Sequence, residues 1–116
     1  MATLDQKREA IRTIFQYFTG NAEENTDVHY EVIADSEHDR YLLMALGWEG
    51  DRRIHHPLLH LNIVDDCIWI EANNTDRSVA EELVELRIPP REIVFGVQPP
   101  ELRPLTGYGP QPTAAA

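Results

Sequence analysis

Cysteine is almost absent from the sequence: Cys67 is the single one among 116 residues. An intramolecular disulfide is therefore impossible, which fits a reducing compartment such as the cytoplasm. No segment approaches the roughly 20 consecutive apolar residues of a membrane-spanning helix, and the charged start MATLDQKREA does not resemble a signal peptide. None of the six glycines has the spacing of a phosphate-binding loop. These absences argue against a disulfide scaffold, a membrane protein and a P-loop enzyme.

Basic residues are half as numerous as acidic ones, with 10 Lys and Arg against 20 Asp and Glu, for a net charge of −10. DNA affinity rests largely on basic side chains that neutralise phosphates. The basic residues are also scattered along the chain rather than clustered. We therefore expect no strong binding to duplex DNA at physiological salt, and a function exerted through protein partners.

Residues 40–72 are the most informative stretch, because they have the pattern of three consecutive antiparallel strands. The predicted strands are Tyr41–Trp48, residues 54–64 and Cys67–Ala72. Gly50 supplies the conformational freedom of a tight turn between the first two strands. Asp65 and Asp66 tolerate the left-handed conformation that a second tight turn needs. Two hairpins are therefore expected.

The two turns also predict how the strands pair. A two-residue loop at Asp65 and Asp66 produces these pairs: Ile63–Ile68, Leu61–Ile70 and Leu59–Ala72 on one face, with Asn62–Trp69 and His60–Glu71 on the other. The first face is wholly apolar, and a slip of one residue would destroy that agreement. A four-residue loop in the first hairpin places Trp48 opposite Arg53 and Leu42 opposite Leu59. The apolar face then also receives Leu42, Met44, Leu46 and Trp48.

The opposite face of the predicted sheet mixes apolar and polar side chains, whereas a solvated face is usually polar. An uncovered apolar patch on a small protein typically marks an interaction site. The sequence therefore predicts a protein interface formed by Tyr41, Leu43, Leu58, His60 and Trp69. The alternative is that the proline-rich residues 99–112 fold back and cover this face.

The remaining segments predict two helices and one more strand. An amphipathic helix over residues 4–19 begins at a capping box, Thr3 with Gln6. The alternating residues 28–35 form a strand that enters the meander through a three-residue turn, with Val32 beside Leu42. A second helix begins at a cap on Thr75 or Asp76, and it ends before Pro89.

Together these elements predict an α+β domain, a four-stranded antiparallel meander with an N-terminal and a C-terminal helix on one face. Residues 1–98 form this single domain. The short apolar run 93–95 either adds an edge strand or seals the core. Residues 99–116 form a proline-rich tail that is partly ordered.

No residue pattern indicates catalysis, a cofactor or a metal. His56 and His60 are four residues apart in one strand, about 13 Å, which is too far to share a zinc ion whose bonds are near 2 Å. His60 and Glu71 are predicted cross-strand neighbours and could form the orienting half of a catalytic unit. The sequence indicates no nucleophile beside them. We therefore favour the interpretation that they are a polar cross-strand pair over the interpretation that they are catalytic.

The order and spacing of residues along nearly the whole chain, from Leu4 to Gly109, resemble the XisI family, the small element-excision controlling factors of cyanobacteria. The residues that carry the resemblance are Asp39, Tyr41, Gly47, Trp48, Gly50, Arg53, His60, Ile68, Trp69, Ile70, Ala80, Glu82, Leu83, Pro89 and Gly96. The chain departs from the pattern at Cys67, where members often carry lysine, and at Asn62, where many carry aspartate.

This resemblance implies a non-enzymatic controlling factor for the site-specific excision of a DNA element. It implies action beside an XisH-like protein and a site-specific recombinase, and self-association as a homodimer is expected in addition. One rival function is a DNA-binding directionality factor, which a basic stripe of Arg40, Arg52 and Arg53 would favour. Another is a small hydrolase that uses His60 and Glu71.

Overall fold

The computed structural model describes residues 1–20 and 27–110. Its helices are α1 (Leu4–Gly20) and α2 (Val79–Glu85), and its strands are β1 (Val28–Asp35), β2 (Arg40–Glu49), β3 (Arg52–Val64), β4 (Cys67–Asn73) and β5 (Ile93–Phe95). Short 3-10 turns occur at Pro90–Glu92 and Arg103–Thr106.

The five strands form one sheet in the order β1-β2-β3-β4-β5. The first four strands are the predicted antiparallel meander. β5 pairs with β4 in parallel, and α2 lies in the crossover between them, as a parallel connection requires. The α+β class is confirmed, and residues 93–95 add a fifth, edge strand.

The two helices begin differently. At the start of α1, Thr3 Oγ1 accepts from the N–H of Gln6 at 3.1 Å, while Gln6 Oε1 accepts from the N–H of Thr3 at 2.7 Å. This is the predicted capping box. The predicted cap of α2 is wrong, because that helix begins at Val79 and Ser78 makes no side-chain cap bond. The hydroxyl of Thr75 instead donates to Asn73 Oδ1 at 2.6 Å in the preceding turn.

The hairpin of β3 and β4 confirms the predicted register only near its turn. Asp65 and Asp66 have φ of +49° and +65°, and the pairs Ile63–Ile68, Asn62–Trp69 and Leu61–Ile70 form as expected. Beyond Leu61 the register shifts by one residue, so His60 lies opposite Ala72 and Leu59 opposite Asn73. The predicted pairs of His60 with Glu71 and Leu59 with Ala72 are therefore wrong, because Glu71 is the extra residue of a β-bulge.

A second bulge changes the hairpin of β2 and β3. Trp48 lies opposite Arg53 as predicted, and Met44 lies opposite Pro57, but the next pair is Leu43 with Leu59. The predicted pair of Leu42 with Leu59 is wrong because Leu58 is an extra residue in β3. Pro57 lacks a backbone N–H, and proline in a sheet is found at edges or at bulges. Because of this bulge, each side chain of β2 lies on the face of the sheet opposite to the predicted one.

The turn between β1 and β2 also differs from the prediction. It contains four residues rather than three, since Asp35 pairs with Arg40, and Asp39 has φ of +56°. As a result Val32 lies opposite Leu43 and not opposite Leu42.

The hydrophobic core lies between the sheet and the two helices. α1 contributes Ile11, Ile14 and Phe15, and α2 contributes Val79 and Leu83. The sheet residues fully buried against them are Leu43, Leu59, Leu61, Ile68, Ile70 and Ile93. We call this side of the sheet the helix face and the opposite side the open face.

Replacing Gly47 by alanine tests the end of the β1–β2 pairing. Gly47 has φ of +145°, and an added Cβ would lie 1.9 Å from the backbone oxygen of Asp27. We expect Gly47→Ala to lower the free energy of unfolding by roughly 2 kcal/mol or more, because the backbone must move. Gly50→Ala is the matched control: its φ is +62° but its surroundings are open, so only the left-handed cost of about 1–2 kcal/mol applies. Equal losses in urea denaturation would contradict the steric argument.

Candidate interaction surface

The structure moves two of the five predicted interface residues into the core. Tyr41 is 9% exposed and Leu43 is 0% exposed, and both belong to the hydrophobic cluster beneath the helices. Their expected placement on the open face is wrong, because the bulge at Leu58 exchanges the two faces of β2. Neither side chain belongs to the open face.

A network around Asp39 also gives Tyr41 a structural role. The hydroxyl of Tyr41 donates to Asp39 Oδ1 at 2.8 Å, and Arg8 donates to both carboxylate oxygens, from Nε at 2.8 Å and from Nη2 at 3.1 Å. These bonds from Arg8 and Tyr41 hold the pKa of Asp39 below its usual value. Burial, with the bond to Asp39, raises the pKa of Tyr41. The network fixes α1 to the start of β2.

The other three predicted residues lie in different surroundings. Leu58 is the bulged residue and packs partly against the core. His60 is half-buried on the open face. Trp69 is half-buried on the same face, and the guanidinium carbon of Arg103 lies 4.9 Å from its ring centroid. The five residues therefore do not form one surface.

The tail residues up to Pro110 cover part of the open face. Arg103 Nε donates to the carbonyl oxygens of Phe95, at 3.2 Å, and Gln98, at 3.0 Å. The N–H of Gly109 donates to the carbonyl of Pro90 at 2.9 Å. The alternative of a covering tail therefore applies over Trp69 and β5, and residues 111–116 lie outside the described part of the chain.

The reversal of β2 instead places an apolar strip on the open face. It consists of Ile33, Leu42, Met44, Leu46 and Trp48, which we call the β1–β2 strip. Ile33 is 52% and Trp48 51% exposed, while Met44 in the middle is buried. At one end the guanidinium carbon of Arg53 lies 5.6 Å from the Trp48 ring centroid. The proline at position 57 was the signal from which the bulge, and hence this strip, could have been predicted.

The proposed catalytic pair and the basic stripe are not assembled. Glu71 is exposed in its bulge, and its carboxylate lies beside Gly96, whereas His60 lies opposite Ala72. Arg40 is at the first residue of β2, and Arg53 is opposite Trp48 near the other end. Eight residues of strand separate these two positions, about 27 Å.

Within the described residues, one group of side chains lies close enough together to share a metal ion: Asp35, Glu37 and His38 in the β1–β2 turn. All three are exposed. Asp35 Oδ1 accepts from the N–H of Glu37 at 3.0 Å, and Asp35 Oδ2 lies 2.8 Å from His38 Nδ1. The bond to His38 holds the pKa of Asp35 below its usual value. These contacts explain the cluster as an aspartate-stabilised turn.

The family model described as XisI protein matches residues 1–110. A XisI-like protein from Anabaena variabilis is 36% identical, with a TM-score of 0.86 over 92% of this chain and 98% of that chain. The fdxN element excision controlling factor XisI from Anabaena variabilis is 31% identical, with a TM-score of 0.78 over 91% of this chain and 96% of that chain.

Two further findings concern the curated proteins and the helices of this chain. None of the curated proteins matches the sequence. Among the described residues, no helix has the length and apolar character to cross a membrane. The family match spans nearly the whole chain, and the similar structures share its fold over more than nine-tenths of its length. The chain belongs to the XisI family.

Proposed function

We propose that this chain is a non-enzymatic controlling factor for the excision of a DNA element, and that it acts by binding another protein. A relative with 31% identity over 91% of this chain is a controlling factor for excision of the fdxN element. The net charge of −10 supports action through protein rather than through DNA, because duplex affinity depends on basic residues. An XisH-like protein or the recombinase itself is the proposed partner.

The observation that carries this proposal is the β1–β2 strip. Ile33 and Leu42 lie directly opposite each other in the register, and no helix covers this face of β1 and β2 among the described residues. Trp48, half exposed at one end, has the character of an interface anchor, since tryptophan and arginine dominate binding energies and here Arg53 lies against its ring. Charged and polar residues of β1, such as Glu31, border the strip as a polar rim does.

Replacing Trp48 by glutamate tests the proposed function in the native host. We expect Trp48→Glu to abolish both co-purification of the XisH-like protein or recombinase and formation of the excised junction. Because Trp48 is 51% exposed, the thermal midpoint should change little. Mass spectrometry identifies the bound chain, and amplification across the closed junction measures excision.

Leu105→Glu is the matched control, since Leu105 is 81% exposed in the tail and away from the strip. We expect it to bind and excise like the unchanged protein. Retention of partner and excision by Trp48→Glu would contradict the proposal. Strong, salt-sensitive binding of the purified chain to duplex DNA would instead favour the directionality-factor alternative.

A further inference from the structure

Within residues 1–20 and 27–110, strand β1 is an open edge of the sheet. It pairs with β2 through eight consecutive residues without a bulge, and no strand in the described part of the chain lies along its other side. Its sequence contains neither proline nor lysine. Proteins usually protect edge strands with such residues, with bulges or by covering them, because a bare edge accepts another strand. Val32 on the helix face is 43% exposed and Ile33 on the open face is 52% exposed.

The hydrogen-bonding direction of each β1 residue follows from one bond. The N–H of Trp48 donates to the carbonyl of Asp27 at 3.1 Å, and these two residues are directly opposite in the register. Hydrogen-bonded pairs alternate along an antiparallel ladder, so odd-numbered residues of β1 bond to β2. Tyr30, Val32 and Ala34 therefore direct their N–H and C=O groups outward. Within residues 1–20 and 27–110, no backbone group from outside the sheet ladder bonds to them.

We propose that a second copy of this chain pairs with this edge, β1 against β1, antiparallel about a twofold axis. The resulting sheet is continuous and contains five strands from each copy. A twofold pairing makes the same residues serve on both sides, so the strand must be complementary to itself. The charges of β1 and the length of the overlap together favour one register.

The register is centred on Val32. Outward hydrogen bonds come from even-numbered residues only, so the twofold axis passes through a residue, and the centres that overlap enough of β1 are Tyr30, Glu31, Val32 and Ile33. A centre at Ile33 sets the carboxylates of Glu31 and Asp35 opposite each other. A centre at Glu31 sets two carboxylates directly opposite each other, which is destabilising. A centre at Tyr30 pairs only residues 28–32 of the two β1 strands, whereas a centre at Val32 pairs residues 29–35. The longer overlap forms more hydrogen bonds and favours Val32.

The Val32 register sets no two groups of like charge opposite each other, and it brings apolar groups together on the helix face. On the open face, His29 of each copy lies opposite Asp35 of the other, and Glu31 lies opposite Ile33. On the helix face, the two Val32 side chains meet and Tyr30 lies opposite Ala34. Ala34 and Val32 line a groove of about 240 Å³ against Ile11 and Phe15 of α1. The second copy covers the open side of that groove.

Val32→Pro, compared with Val32→Ala, tests this pairing directly. Proline removes the outward N–H of Val32 without removing a bond to β2, so an edge strand tolerates it. Alanine shortens the side chain and keeps the N–H. In the purified protein, light scattering at about 100 µM should give a dimer for the unchanged chain and for Val32→Ala. The dissociation constant of Val32→Pro should rise at least about tenfold, because the central outward bond is lost.

Amide hydrogen exchange of the unchanged protein is the second measurement. The amides of Tyr30, Val32 and Ala34 should exchange more slowly at high protein concentration than at low concentration. A monomer at about 100 µM, or a dimer that Val32→Pro leaves intact, would overturn the inference. So would a dimer whose three edge amides exchange at a rate independent of concentration.

This pairing deepens the proposed function, which rests on protein contacts, but its failure is distinguishable from the failure of that function. Self-association is measured on the purified chain, whereas partner binding and excision are measured in the host. A dimer disrupted by Trp48→Glu and not by Val32→Pro would assign self-association to the β1–β2 strip and overturn the edge pairing.

Discussion

Replacing Lys7 by alanine should lower the free energy of unfolding by about 3–5 kcal/mol, because it leaves a buried carboxylate uncompensated. The side chain of Lys7 is 1% exposed and that of Glu92 is 7% exposed, and Lys7 Nζ lies 2.9 Å from Glu92 Oε1. Lys7 Nζ also donates to the carbonyl of Ala2 at 2.9 Å, and the N–H of Ala2 donates to Glu92 Oε1 at 3.1 Å. Chemical denaturation at neutral pH measures the loss.

The same ion pair predicts a pH dependence of stability. Burial alone would raise the pKa of Glu92, but the bonds from Lys7 and the Ala2 N–H, with the charge of Lys7, hold it below its usual value. The folded protein therefore keeps Glu92 ionised at a lower pH than the unfolded chain does. The contribution of this group is fully present above the unfolded pKa of about 4.3, and it is lost as the pH falls through the folded pKa.

The double variant Lys7→Met with Glu92→Gln is the control for this prediction. It removes both charges and retains an acceptor for the N–H of Ala2, so it should recover more than half of the loss. Its stability should also depend less on pH between about 5 and 3 than that of the unchanged protein. A loss below about 1 kcal/mol for Lys7→Ala would show that the pair contributes little to folding.

The second large effect is expected in the centre of the sheet. Leu61 and Ile70 lie directly opposite each other and are 0% and 1% exposed. Leu61→Ala and Ile70→Ala should each lower the free energy of unfolding by about 2–5 kcal/mol, through lost apolar burial and the cavity that remains. Because the two residues touch, the double variant should differ from the sum of the single ones. Urea denaturation of the three proteins measures both quantities.

Ile33→Ala is the matched control, because it removes the same atoms as Ile70→Ala from a side chain that is 52% exposed. It should cost less than about 0.5 kcal/mol in the monomeric protein. If Ile33→Ala proved as costly as Ile70→Ala, the assignment of the two faces would be contradicted.

The sequence predicts this fold well wherever turn chemistry determines the pairing. Asp65 and Asp66 tolerate positive φ, and the apolar pairs on either side of them fix the register of β3 and β4 as far as Leu61. The capping box at Thr3 and Gln6 is a local interaction and is equally predictable. These features depend on neighbours within a few residues.

The sequence of β2 alone does not predict the candidate surface, because β2 is apolar on both faces. Its run from Tyr41 to Leu46 contains no polar residue, so only the register decides which side chains are buried. The bulge at Leu58 shifts that register by one residue and exchanges the faces. Counting cross-strand pairs outward from the turn assumes that each residue of one strand faces one residue of the other. This assumption fails at a bulge, where two residues face one.

The contact between Ala2 and Glu92 joins residues 90 positions apart in the sequence. This separation determines when the contact can form during synthesis. The ribosome releases α1 and the meander strands before Glu92. The carboxylate of Glu92 is therefore not yet available to Lys7 while those elements emerge. A contact of such long range forms late, because much of the chain must already be ordered to bring its ends together. Ala2 and Lys7 therefore reach the carboxylate of Glu92 only after the crossover helix α2 has brought Glu92 and β5 back to the sheet, so this ion pair completes the domain.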